Sequence, residues 1–142
     1  MMVTGDSWED VEAAGQWLWP RFSPGKIACS CCGRIEICSE FMDHLSELRE
    51  ACGFPLLETS GYRCSAHNCV VSSTGGKGPH TTGRAVDIQI SGKRADRLIE
   101  LSYGFGFTGR GVHQTGPHQS RFIHLDMLGN GSGCPRPRMW SY

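Results

Sequence analysis

The sequence predicts an α+β domain: a mainly antiparallel sheet with helices packed on one side. Two observations carry that prediction. "RAVDIQI" at 84–90 and "RFIHLDM" at 121–127 alternate apolar and polar residues, as half-buried strands do. Residues 37–52 instead repeat their apolar positions at steps of three and four, the spacing of an amphipathic helix. With 142 residues the chain is large enough for one core and short for two, so residues 1–142 read as a single domain with a lead-in segment over 1–21.

In chain order, residues 8–19 predict a short helix before Pro20, and "RFSPGKIACSCCG" reads as loop because Pro24, Gly25 and Gly33 interrupt it. In the helix over 37–52, Phe41, Leu45, Leu48 and Cys52 form the buried stripe and Gly53 ends it. "FPLLETSGYR" predicts a strand leaving that helix. Residues 64–83, rich in Gly, Ser, Thr and Asn, predict a long loop that needs a reason to be ordered. Along 84–90, Val86, Ile88 and Ile90 point to the core and Asp87 points away from it. A second helix over 93–106 buries Leu98, Ile99 and Leu101 and ends at Gly104 or Gly106. "GFTGRGVHQ" and "RFIHLDM" complete the sheet, with Ile123 and Leu125 inward and Phe122, His124 and Asp126 together on the other face.

Lys plus Arg and Asp plus Glu each total 14, so the formal net charge is zero and no long-range attraction for nucleic acid follows. No apolar run approaches the roughly 18 residues of a membrane span. The opening "MMVTGDSWEDVEAAGQ" is acidic where a secretory signal is basic, so cytoplasmic synthesis without a signal peptide is expected. Eight cysteines invite a disulfide reading; the missing signal favours thiols or metal. Cys29 and Cys32 have Cys-x-x-Cys spacing, and a second metal at Cys29, Cys32 and Cys38 stands as a minor alternative to plain buried thiols.

The stretch "GPHTTGRAVDIQI" sets His80 and Asp87 seven residues apart, with Gly83 for the turn and Pro79 stiffening the approach. Catalytic zinc takes three imidazole or carboxylate ligands and leaves a fourth position for water. His80, Asp87 and His124 supply such a set from compatible faces, and a zinc would also give residues 64–83 a reason to be ordered.

"SGYRCSAHN" at 60–68, "HTTGRAVDI" at 80–88, "FIHLD" at 122–126 and "RMW" at 138–140 resemble the zinc D-alanyl-D-alanine carboxypeptidases and murein peptidases, phage-type members included. The hedgehog signalling domain shares their zinc site. The likeness runs from about Phe22 to Trp140, since "FSPGKIACSCCG" and "LSELREACGFPL" also resemble the upstream part of phage-type members. It implies a zinc site on the sheet face opposite the helices, with His80, Asp87 and His124 as ligands. It also implies a role for Arg63, whose guanidinium suits a peptide carboxylate.

The sequence departs from these relatives at two positions. Where many place an acidic general base three residues before the last histidine, this chain has Arg121, which cannot accept a proton at neutral pH. Asp126 is the first candidate for that role, or else a carboxylate orienting a ligand histidine; His118 and His113 are further candidates for the base. Gly78 replaces a serine and loses a hydroxyl. The resemblance thus implies a monomer hydrolysing peptidoglycan stem peptides through a zinc-activated water, acting on the cell wall after release if it is of the phage type. The alternatives are a zinc-stabilised binding module without hydrolysis, and a structural domain whose metal sits on cysteines.

Overall fold

The computed structural model describes residues 1–142. Strand β1 (Met2–Gly5) pairs antiparallel with β2 (Ile35–Cys38), an isolated two-stranded sheet that the sequence reading does not contain. Ile37 therefore belongs to this strand and not to the following helix. The lead-in over 1–21 is built into the body: Val3, Val11 and Trp19 are buried, and the Trp19 indole N–H donates to Asp43 Oδ1 at 2.8 Å. Only Trp8–Ala13 of the expected 8–19 helix forms (α1), because Gly15 adopts a left-handed φ of 69° just beyond it.

A single turn, α2 (Pro24–Ile27), leads through β2 to α3 (Ser39–Cys52), which buries Phe41, Met42, Leu45 and Leu48 and stops at Gly53 in left-handed backbone. Next come β3 (Leu57–Ser60), α4 (Ser65–Val71), β4 (Ala85–Gln89), α5 (Gly92–Ser102), β5 (Gly109–His113), β6 (Phe122–Asp126) and β7 (Arg138–Ser141). The main sheet has the order β3-β4-β6-β5-β7, antiparallel throughout except for the parallel pair β5 and β7. The core joins α3 and α5 to Val86, Ile88, Ile123 and Leu125 on one sheet face. The longest helix has 14 residues, and none is long and apolar enough to cross a membrane.

The expected loop over 64–83 is corrected by the structure: it holds α4 and two 3₁₀ turns, Gly75–Lys77 and Pro79–Thr82. Its order has a local source. Asn68 is buried, and its amide donates to Thr74 Oγ1 and to the Gly75 carbonyl while its oxygen accepts from Arg63. A side chain at Gly78 would collide with Thr74 Oγ1, so the threonine hydroxyl occupies the space that a serine at 78 would fill.

Candidate metal centre

The antiparallel register of β4 and β6 sets Asp87 opposite His124, and the next pairings continue the row through Gly111 of β5 to Trp140 of β7. Directly paired residues project on one face, so this row forms a strip across the sheet on the side away from α3 and α5. His80 enters from the 3₁₀ turn at 79–82, which Gly83 closes with a φ of 71°. The three side chains converge: Asp87 Oδ1 lies 3.2 Å from His80 Nε2 and 3.0 Å from His124 Nδ1.

The outer nitrogens decide the tautomers. His80 Nδ1 is 2.6 Å from the Gly61 carbonyl, which only accepts, so that nitrogen carries the hydrogen and leaves a lone pair on Nε2. His124 Nε2 donates to Asp126 Oδ2 at 2.7 Å, which leaves a lone pair on Nδ1. In that neutral tautomer, two nitrogen lone pairs and a carboxylate oxygen face one another; the alternative is a proton on His124 Nδ1 donated to Asp87. The neutral set repels itself unless a cation sits among the three, and its atoms all lie within 4.8 Å of one another. Two imidazoles and a carboxylate, with their outer atoms hydrogen-bonded, fit a zinc ion in donor type and in outer-shell support.

The electrostatics agree. Burial pushes the Asp87 carboxyl up, but the two histidines hold it well below the usual carboxylate range. Burial pushes His124 down, and the hydrogen bonds to Asp126 and Asp87 more than reverse it, so that its pKa is raised. The same surroundings that raise the His124 pKa favour positive charge at the centre.

The centre opens into a cavity of about 650 Å³. Phe122, Trp140 and Tyr142 form an aromatic wall, and Arg63, Arg136 and Arg138 supply positive charge; Asp87 is the only acidic side chain in the lining. Arg63 donates to Asp87 Oδ2, Asn68 Oδ1 and Ser60 Oγ, so its first task is to hold the Asp87 carboxylate. Two glycines of β5 make room on this face. A Cβ at Gly109 would fall on the Asp126 carboxylate, and one at Gly111 would meet the Trp140 indole.

Of the other residues singled out in the sequence, Asp126 lies directly behind His124 and the rest lie away from the centre. Asp126 is fully buried, and it accepts from Arg136 Nε at 2.9 Å and Nη2 at 2.7 Å as well as from His124. Burial pushes its pKa up, but the Arg136 and His124 hydrogen bonds bring it down to about 2. Both carboxylate oxygens are thus engaged by protein donors, and Asp126 is not in the cavity lining. His118 sits in an exposed turn with Nδ1 3.2 Å from Ser91 Oγ, outside the cavity lining. His113 stacks on Phe122 and also stays outside it. Arg121 donates to the Gly116 carbonyl. Cys38 is buried at the end of β2, its thiol donating to Glu40, and does not join Cys29 and Cys32. Sequence reasoning missed Arg136, one of two arginines in "PRPR" at 135–138, which only the folded chain pairs with Asp126.

No curated protein and no solved structure matches the chain. One family model does: that described as Peptidase M15 matches residues 20–126, most of the chain and all of His80, Asp87, His124 and Asp126, and the chain belongs to that peptidase family.

Proposed function

We infer that the protein is a zinc peptidase that hydrolyses peptidoglycan stem peptides, as a D-alanyl-D-alanine carboxypeptidase or an endopeptidase. The observation that carries this reading is the convergence of His80 Nε2, Asp87 Oδ1 and His124 Nδ1 at a cationic, aromatic-walled cavity in a chain of a peptidase family. A bound zinc supplies Lewis acidity and brings the pKa of a water molecule from 15.7 to near 7. The chain's own residues do the rest. The Gly61 carbonyl and Asp126 keep the two imidazoles in the ligating tautomer and orientation. Arg63 steadies Asp87 and, with Arg138, offers guanidinium donors to a peptide carboxylate. Trp140 and Phe122 give the peptide an apolar wall that limits water. Action on the cell wall after release, as in phage-type relatives, belongs to the same reading.

One observation favours a second reading, a zinc-stabilised binding module. The lining has no acidic side chain besides Asp87 to take a proton from water, and Asp126, His118 and His113 are all outside it. The test is zinc content by elemental mass spectrometry together with incubation of the wild-type chain and His80→Ala with a stem pentapeptide and with cross-linked muropeptides. Loss of terminal D-alanine or of the cross-link by wild type only supports the peptidase and names the bond. Zinc without hydrolysis supports the binding module, and no zinc at the His80 site overturns both.

A further inference from the structure

A second group of metal-ligating side chains lies outside this centre. The thiols of Cys29, Cys31, Cys32 and Cys64 all fall within 4.8 Å of one another, although Cys64 is more than 30 residues from the others. The Sγ atoms of Cys29 and Cys31 are 3.5 Å apart, as are those of Cys31 and Cys64. A disulfide needs about 2.05 Å. Four sulfurs around a tetrahedral zinc, with Zn–S near 2.3 Å, stand about 3.8 Å from one another, close to the observed spacing. We propose that Cys29, Cys31, Cys32 and Cys64 form a structural tetrathiolate zinc site, separate from the His80 centre.

The backbone around the cluster has the form such a site requires. Cys29 and Cys32 have the Cys-x-x-Cys spacing of zinc-binding turns, and Gly33 follows in left-handed backbone with a φ of 76°. The turn is closed from both sides: the Gly33 N–H donates to the Cys29 carbonyl and the Cys29 N–H to the Arg34 carbonyl, each at 2.8 Å. Two sulfurs accept backbone N–H groups, Cys29 Sγ from Cys64 and Cys64 Sγ from His67, both at 3.4 Å. N–H donors aimed at sulfur favour the thiolate, the form that binds metal. Cys64 is also the N-cap of α4, so a metal here would tie the 29–33 turn to the start of that helix.

The site lies beside the segment that supports the other centre. Gly61, whose carbonyl fixes His80, packs against the Ile27 backbone, and the Tyr62 N–H donates to the Ile27 carbonyl at 2.7 Å. Arg63, which holds Asp87, directly precedes Cys64, and its N–H donates to the His80 carbonyl at 3.1 Å. A metal that joins residues 29–32 to Cys64 therefore clamps both ends of the Gly61–Arg63 segment. Without it, one buried, one half-buried and two exposed thiols would leave this support to a few hydrogen bonds.

The experiment uses the full chain, purified under reducing conditions and then loaded with Co2+ in place of zinc. The thiolate-to-cobalt charge-transfer absorption in the near ultraviolet reports sulfur ligation and is silent for the imidazole and carboxylate centre. Wild type is expected to show that band and to bind two ions per chain. His80→Ala should keep the band with one ion, and Cys31→Ser, at an exposed position, should lose most of it. In the wild-type chain, alkylation of native protein by iodoacetamide should be slow at the cluster with metal and at least tenfold faster after chelation. Absence of the band in wild type, or an intact mass showing the four thiols oxidised in two disulfides after purification under reducing conditions, overturns the proposal. Retention of the band with a vacant His80 centre would separate this inference from the reading of the peptidase site.

Discussion

Both oxygens of Asp126 are engaged by the protein itself: Arg136 approaches with two N–H donors and His124 with one. Asp126→Asn keeps the shape but gives His124 Nε2 a weaker or wrongly oriented partner. Zinc affinity should then fall about 10–100-fold, as outer-shell replacements do, which isothermal titration with zinc would measure. Arg136→Ala acts differently, because it leaves a buried carboxylate half-paired. We expect a loss of about 3–5 kcal/mol in denaturant unfolding, with weakened metal binding following from the displaced Asp126. An Arg136→Ala chain of unchanged stability would remove Arg136 from this account.

Two strands carried their own labels in the sequence, and other elements did not. The alternation in 84–90 and 121–127 set Asp87 and His124 on the non-core face, and the β4 and β6 register then made them neighbours. The helix over 37–52 was legible from its apolar stripe for the same reason: its residues report their own burial. By contrast, β1 and β2 are four-residue strands whose pairing partners lie 30 or more positions apart, and β7 is a short edge strand reached through a turn-rich segment. Helix α4 owes its stability to the Cys64 cap and to Asn68 reaching forward to residues 74 and 75, contacts that no local period reveals. The stretch "GFTGRGVHQ" read as a strand, but no local pattern showed that its glycines are space left for Asp126 and Trp140. Gly109→Ala should therefore cost about 1–3 kcal/mol and lower zinc affinity, since the new methyl displaces a pinned carboxylate. Gly129→Ala, where a Cβ would meet nothing within 4 Å, is the matched control and should leave both measurements unchanged.

Across the whole molecule, the buried charges give stability a particular pH dependence. Asp126 has a folded pKa of about 2 against an ordinary 3.8, so its contribution is complete above about pH 4 and is lost as the pH falls towards 2. That contribution is about 2 kcal/mol, and thermal melts of the metal-free chain between pH 5 and 2 should show most of it disappearing. His124 has the opposite sign. Its raised pKa stabilises the metal-free fold below the ordinary histidine value of 6.5, and this is lost as the pH rises through the folded value. Because metal replaces that proton, the rise in Tm on adding zinc should be larger at pH 8 than at pH 6. Equal shifts at the two values would mean that His124 is not displaced from its proton by the ion.

The row from Asp87 through His124 and Gly111 to Trp140 has a consequence for damaged or misfolded chains. A one-residue slip between β4 and β6 would put Asp87 and His124 on opposite faces, turning one of them into the apolar layer and moving the apolar residues of that strand, Val86 and Ile88 or Ile123 and Leu125, to the other face. The same pairing error that separates Asp87 from His124 therefore also disrupts the core. Ageing preparations should divide into chains that hold the metal at full strength and chains that have aggregated, with no pool of soluble, weakly binding intermediates between them.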